Sequence, residues 1–215
     1  MNATEQFICE RHYDMYWVRA MFMPDETWSR FVLSGTNLIP GELQVNDPAL
    51  SRMDTMVEIR RPDNVSLPIE VLKQLSRSCQ RLLVDPHTFD HQELIDCLML
   101  GSTLVCIDHR SDIKQLELAH ASSANIVVKL ELDQSMLSEP EEHLSLLESL
   151  SSHVGDLIMV KTRMPGILEE WWLILPRRIR GAWKWIMAPA EGERITLPHR
   201  NRIHSWAISG DLFIK

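Results

Sequence analysis

The residue in this sequence best placed to take part in a reaction is Lys161. It closes the apolar run LIMVK, and an amine at the margin between a strand and a loop can add to a carbonyl carbon as a nucleophile. Comparable positions at the ends of other apolar runs hold Glu58 and Arg60, then Asp85 and His87, then Asp108, His109 and Arg110, then Glu131 and Asp133. Arg163, Glu191 and Glu193 follow, and the group His199, Arg200 and Arg202 stands ahead of the last apolar run. Charge at loop ends also keeps any α/β domain in solution, so no one of these residues is a site by type alone. In VDPHTFDH, Asp85, His87, Asp90 and His91 set four metal-ligand types close together, with Asp108 and His109 at the next strand end, although the two histidines lack the adjoining glutamate of a zinc-protease helix. No serine nucleophile elbow, phosphate-cradling glycine loop or dinucleotide fingerprint is present, and eight glycines give little material for a backbone-lined phosphate site.

Positioning such residues requires strands that end together. Eight runs read as strands: 16–23, 55–60, 81–85, 103–108, 126–132, 157–161, 183–188 and 206–214. Several are apolar on both faces, as strands covered on both sides must be. Helical patterns lie between them. DETWSRFVLSG has acids in its first turn and a closing glycine, LPIEVLKQLSRSC and HQELIDCLMLG have apolar residues at three- and four-residue steps, and SEPEEHLSLLESLSSHVG opens on a serine cap. Between Thr36 and Arg52 no helix is expected. WWLILPRRIRGAWKWI, with four tryptophans among four basic residues, divides into a core-facing helix at Trp171–Leu175, a solvated turn at Arg177–Gly181 and a strand at Trp183–Ala188. The fold expected is a single-domain parallel (β/α)8 TIM-type barrel over residues 1–215, its seam after the last strand open or covered by a partner.

Bulk properties narrow the partners. The chain is 45% hydrophobic and 24% charged, with a formal charge of −8 and no basic tail, which disfavours nucleic acid. The charge is uneven, because residues 161–215 carry ten Lys/Arg against five Asp/Glu; a small anionic molecule is the expected ligand. No run approaches the roughly 20 apolar residues of a spanning helix, and the N-terminal residues do not read as a signal peptide, so the expectation is a cytoplasmic protein without a membrane partner. Cys9, Cys79, Cys97 and Cys106 are scattered and read as reduced, mostly buried thiols. A homo-oligomer covering the seam is a further expectation.

Three stretches resemble type I 3-dehydroquinate dehydratases, barrel enzymes that work through a lysine Schiff base. DTMVEIRRPD is similar to an early strand of that family and puts Glu58 and Arg60 among its substrate-binding residues. GDLIMVKTRMPG resembles the strand that bears its lysine and nominates Lys161. IMAPAEGERITLPHRNRI followed by SWAISGDLFI resembles its closing strands and nominates Arg200 as a carboxylate-binding arginine. Where the family has its general-base histidine, this chain reads LELDQSMLSEP, which leaves Asp133 as the nearby acid. The resemblance implies a lyase acting on a small carbonyl carboxylate, with Lys161 and Asp133 as catalytic residues, Glu58, Arg60 and Arg200 binding substrate, and neither metal nor cofactor. The alternative is a catalytically degenerate barrel that serves as a binding or interaction protein, and the third reading is a metal-dependent hydrolase using His87, His91 and the neighbouring aspartates.

Overall fold

A computed structural model describes residues 6–8, 27–41, 43–62, 65–190, 193–196 and 203–210. Eight strands form a closed, all-parallel β/α barrel: β1 (Thr27–Ser34), β2 (Asp54–Glu58), β3 (Arg81–Asp85), β4 (Leu104–Asp108), β5 (Ile126–Leu132), β6 (Leu157–Thr162), β7 (Lys184–Ala188) and β8 (Ile203–Ser209). They are hydrogen-bonded in chain order, and β8 pairs with β1. Helices α1 (Ile69–Ser78), α2 (His91–Met99), α3 (Ile113–Ser122), α4 (Gln134–Ser138), α5 (Pro140–Leu150), α6 (Ile167–Ile174) and α7 (Arg177–Ala182) occupy the connections from β2 to β7. None of the described helices is long and apolar enough to cross a membrane.

The expected barrel is therefore present, with one strand placed differently. The segment expected to be a helix, DETWSRFVLSG, holds β1. Its cues were ambiguous, since Gly35 closes no helix: at φ +62° it supplies the turn of a hairpin in which Ser34 faces Asn37 and Leu33 faces Leu38. Thr, Trp, Phe and Val also suit a pleated strand better than a helix. The strand expected at 16–23 lies outside the described residues, as do the last residues of the one expected at 206–214, where β8 begins earlier, at Ile203. Among the described residues between β1 and β2 there is no α-helix, as expected. Two short strands, Asn37–Ile39 and Leu43–Gln44, and a 3-10 turn at Pro48–Arg52 fill that connection.

Local chemistry sets the helix boundaries. Asp90 and Asp112 cap α2 and α3, accepting the Gln92 and Lys114 backbone N–H groups at 2.9 Å each. Inward faces follow the helical period: Leu72 and Leu75 in α1, Leu94 and Cys97 in α2, Leu116 and Ala119 in α3, His143, Leu147 and Leu150 in α5. The segment expected to be a solvated turn at Arg177–Gly181 is α7. Ile179 is buried there, and the Arg180 carbonyl accepts the Trp185 indole N–H at 2.9 Å. Arginines favour helix and Pro176 is well suited to the position before it, so the basic run continues as helix beyond the proline.

By their contacts the described residues divide into two compact units, one of Trp28–Val128 with Ser209 and Gly210, the other built on Lys129–Ile208. In the first, Phe31, Met56, Val57, Leu82, Leu83 and Val84 form the centre of an apolar core. In the second, the core is built on tryptophan. Trp171, Trp172 and Trp183 each meet Trp185 at ring separations of 5.4 to 5.7 Å, two of them edge-on at more than 80°. The Trp171 indole N–H donates to His143 Nε2 at 2.7 Å. The tryptophan-rich stretch is thus packing, with its polar edges satisfied inside.

Candidate functional site

In the first unit the strand register stacks charge at both ends of the strands. Trp28, Asp54 and Arg81 are in register at the N-terminal ends. Arg81 donates to both Asp54 oxygens, Nε at 2.9 Å and Nη2 at 2.5 Å, and lies 4.9 Å over the Trp28 ring. At the C-terminal ends Val32, Glu58 and Asp85 are in register. Thr55 lies against the Cys79 thiol at the end of α1, so the alternate residues Asp54, Met56 and Glu58 face the opposite side, the barrel interior. Burial pushes the Cys79 thiol up to about 11. Cys97 and Cys106 are buried and neither forms a disulfide, and Cys9 lies outside the described residues.

Glu58 is the centre of this group. Its carboxylate is buried, with Arg60 Nη2 3.1 Å from one oxygen and Arg30 Nε 3.5 Å from the other. The His87 ring nitrogen Nε2 lies 3.9 Å from Glu58 and 3.3 Å from Asp85. Asp85 also accepts the His87 backbone N–H at 3.3 Å. His87 has φ +50°, a left-handed conformation that histidine adopts more readily than most side chains. At the next strand end Asp108 accepts from Arg110 Nε and Nη2, both at 2.8 Å, and from the Arg110 backbone N–H. Farther out, Arg61 is ion-paired with Glu93. Burial would raise the Glu93 carboxyl, but hydrogen bonds from Arg61 and Thr88 and the Arg61 charge outweigh it and hold the group below its ordinary value. Glu58 and Arg60, both expected as substrate-binding residues, are paired with each other. Arg30 was not among the expected residues, because its segment reads as a helix.

The second unit carries its charge differently. Trp185 touches Trp171 and Trp172 of α6, so residues 185 and 187 face the helices while Ile186 and Ala188 face the interior. Ile186 is in register with Met159 and Ala188 with Lys161. Lys161 therefore faces the barrel interior at the C-terminal end of β6, and it is 1% exposed. Lys129, in the middle of β5, is fully buried as well. Its signal in the sequence is a lysine flanked on both sides by apolar strand residues, IVVKLEL. Glu131, two residues on, pairs with Arg163 at 2.8 Å.

Two further carboxylates in this unit have structural partners. Asp133 caps α4: its Oδ1 accepts the Ser135 and Met136 backbone N–H groups, at 2.9 and 3.4 Å, and the Ser135 hydroxyl at 2.5 Å. This is the local role of an exposed N-cap. Glu193 is buried and clamps two loops, one oxygen accepting the Gly166 N–H and the other the Ala190 N–H, each at 2.9 Å. Burial, with Glu169 adding to it, raises the Glu193 carboxyl above its ordinary value against the pull of those two amides. Glu191, His199, Arg200 and Arg202 lie outside the described residues.

The expected metal ligands separate. His91 starts α2 and its Nε2 lies 2.8 Å from the Ser122 hydroxyl, whereas His87 turns to Asp85. Among the described residues no group of three or more His, Cys, Asp and Glu is placed to hold a metal ion. The guanidiniums of Arg30 and Arg60 already supply positive charge to Glu58. No protein-family model and no curated protein sequence matches the chain.

Proposed function

We propose that this barrel forms an iminium between Lys161 and a small carbonyl carboxylate, as type I 3-dehydroquinate dehydratases do with their own lysine. The observation that carries the proposal is the placement of Lys161: an amine-bearing side chain, nearly inaccessible to water, facing the interior at the C-terminal end of a barrel strand. In β/α barrels reacting groups gather at that end, because the loops that follow the strands converge there. A lysine that merely solubilised the strand end would extend its ammonium into water. The amine would add to the carbonyl carbon, and loss of the carbonyl oxygen as water would leave the iminium, which acidifies the neighbouring C–H bond.

The test is reductive trapping. Incubation with 3-dehydroquinate and borohydride should give a covalent mass increase on the peptide carrying Lys161, absent in Lys161→Met. Failure of 3-dehydroquinate and related keto acids to give any adduct would overturn the proposal. A binding protein without turnover is the second reading, and Arg60 favours it. Its side chain is 53% exposed, so one face of the guanidinium remains open to a carboxylate while the other holds Glu58. Saturable binding of small carboxylates that weakens in Arg60→Met, with no adduct, would select this reading.

A further inference from the structure

We propose that the strand Gln6–Ile8 is a strap over Lys161, and that its release opens the lysine amine to small molecules in solution. This strand lies outside the barrel sheet. It pairs antiparallel with Arg194–Thr196, Gln6 facing Thr196, Phe7 facing Ile195 and Ile8 facing Arg194, and the two form a sheet of their own. Both belong to the unit that carries Lys161. Arg194 follows Glu193 directly, and Glu193 fixes where the small sheet stands. Its two oxygens accept the Gly166 and Ala190 backbone N–H groups at 2.9 Å each, and its own N–H donates to the Ala190 carbonyl at 3.2 Å. Gly166 belongs to the connection that leaves β6 after Lys161, and Ala190 to the one that leaves β7 after Ala188, the register partner of Lys161. Arg194–Thr196 also lies against α6, the helix that Gly166 opens. The paired strands are therefore anchored at the end of β6 and β7 where Lys161 stands. A lysine next to last in such a strand ordinarily extends its ammonium into water, yet Lys161 is 1% exposed. A cover on that side accounts for its burial.

The same geometry makes the cover releasable. Three residue pairs in a two-stranded sheet carry little stability of their own. Joining segments so far apart in the chain also costs loop-closure entropy, which three pairs offset poorly. Elements of this kind open locally while the rest of a protein stays folded. Glu193 holds one of the two strands to the connections after β6 and β7, so the strand that detaches is Gln6–Ile8. The strap governs access of any small amine-directed molecule, and it stands whether or not Lys161 forms an iminium.

The experiment measures access directly, by acetylating the folded full chain with N-hydroxysuccinimidyl acetate and mapping the modified peptides by mass. Lys129, fully buried in the middle of β5, reports any loosening of the barrel itself, and the exposed Lys73 normalises the reagent. Bonded and non-bonded pairs alternate along an antiparallel ladder, so either Phe7→Pro or the double variant Gln6→Pro with Ile8→Pro must remove its hydrogen bonds. In that variant Lys161 acetylation should rise about 10-fold, the factor set by an opening cost of about 1.4 kcal/mol, while Lys129 stays unmodified. Unchanged labelling of Lys161 in both variants overturns the proposal, and so does a joint rise at Lys129 and Lys161. If neither variant folds, the double variant Gln6→Cys with Thr196→Cys decides in the opposite direction, because its cysteines face each other across the pair. With the disulfide closed, Lys161 should label about 10-fold more slowly than after reduction with dithiothreitol. Equal rates before and after reduction overturn the proposal.

Discussion

The two compact units handle charge at their strand ends in opposite ways. In the first, buried carboxylates have basic partners close by: Glu58 has Arg30 and Arg60 and Asp108 has Arg110, while the His87 ring lies 3.3 Å from Asp85. In the second, Lys129 and Lys161 are buried, as is Glu193, and four tryptophans cluster around Trp185 on β7, the neighbour of the strand that carries Lys161. Glu58 has a guanidinium near each oxygen, one of them hydrogen-bonded. A lysine buried at the end of a barrel strand is costly to hold there. The contrast locates candidate covalent chemistry in the lysine-bearing unit and candidate ionic recognition in the carboxylate-bearing one.

The largest expected effect tests the tryptophan backing. Trp185→Ala removes the ring that Trp171, Trp172 and Trp183 share and should cost about 3–5 kcal/mol in denaturant unfolding followed by circular dichroism. A loss below 1 kcal/mol would mean that this core does not support the strand carrying Lys161.

Two glycines, one in each unit, should respond with opposite signs. A Cβ on Gly210 would sit 2.0 Å from the Phe31 ring, so Gly210→Ala should destabilise by about 1–3 kcal/mol as that ring is displaced. Gly181 lies in α7 with open space around it, and Gly181→Ala should stabilise by about 0.4–1 kcal/mol. Thermal melts of the two variants would show whether close packing beneath β1 is as tight as the geometry requires.

The strand ends of the first unit differ from each other as well. Arg81 is two-thirds buried, bidentate on Asp54 and stacked on Trp28, and Arg81→Ala should cost about 1–2 kcal/mol. Arg110 holds Asp108 with equally short bonds but is 62% exposed, and Arg110→Ala should fall within about 0.5 kcal/mol of wild type. Equal costs would show that the N-terminal ends are no more structural than the rim.

The smallest effects come from two carboxylates shifted in opposite directions. Glu93 is held below its ordinary value, so its contribution is present above the unfolded carboxyl range and is lost as pH falls through its lowered value. Glu193 is raised, so its contribution is fully present below the unfolded range and is lost as pH rises through the raised value. The melting-point deficit of Glu93→Gln should therefore shrink toward acid pH, and that of Glu193→Gln should shrink toward neutral pH, each by less than about 1 kcal/mol. Parallel pH profiles for the two variants would contradict the assigned causes.

Much of this architecture could be read from residue patterns because short strands apolar on both faces and amphipathic helices of the α1 and α2 kind leave local signatures. β1 could not, because acids before TWSRFVLS and a glycine after it suit a helix as well as a hairpin-forming strand, and only pairing with β2 and the Asn37–Ile39 strand decides between them. The importance of Arg30 was lost with that segment. Asp133 and Glu131 are both acids near the end of β5, and no local pattern says that one caps a helix while the other turns to Arg163.

The amino-acid order alone determined the repeating βα units and the position of Lys161 at the end of a strand, since each depends on side chains within a turn or a strand of one another. Tertiary structure decided which face each strand turns inward, and so that Lys161 is buried in the interior, that Glu58 is met by two arginines and that Glu131 reaches Arg163. Those facts depend on strand register, which is set by pairing between segments far apart in the chain and exchanges the two faces with a shift of a single residue.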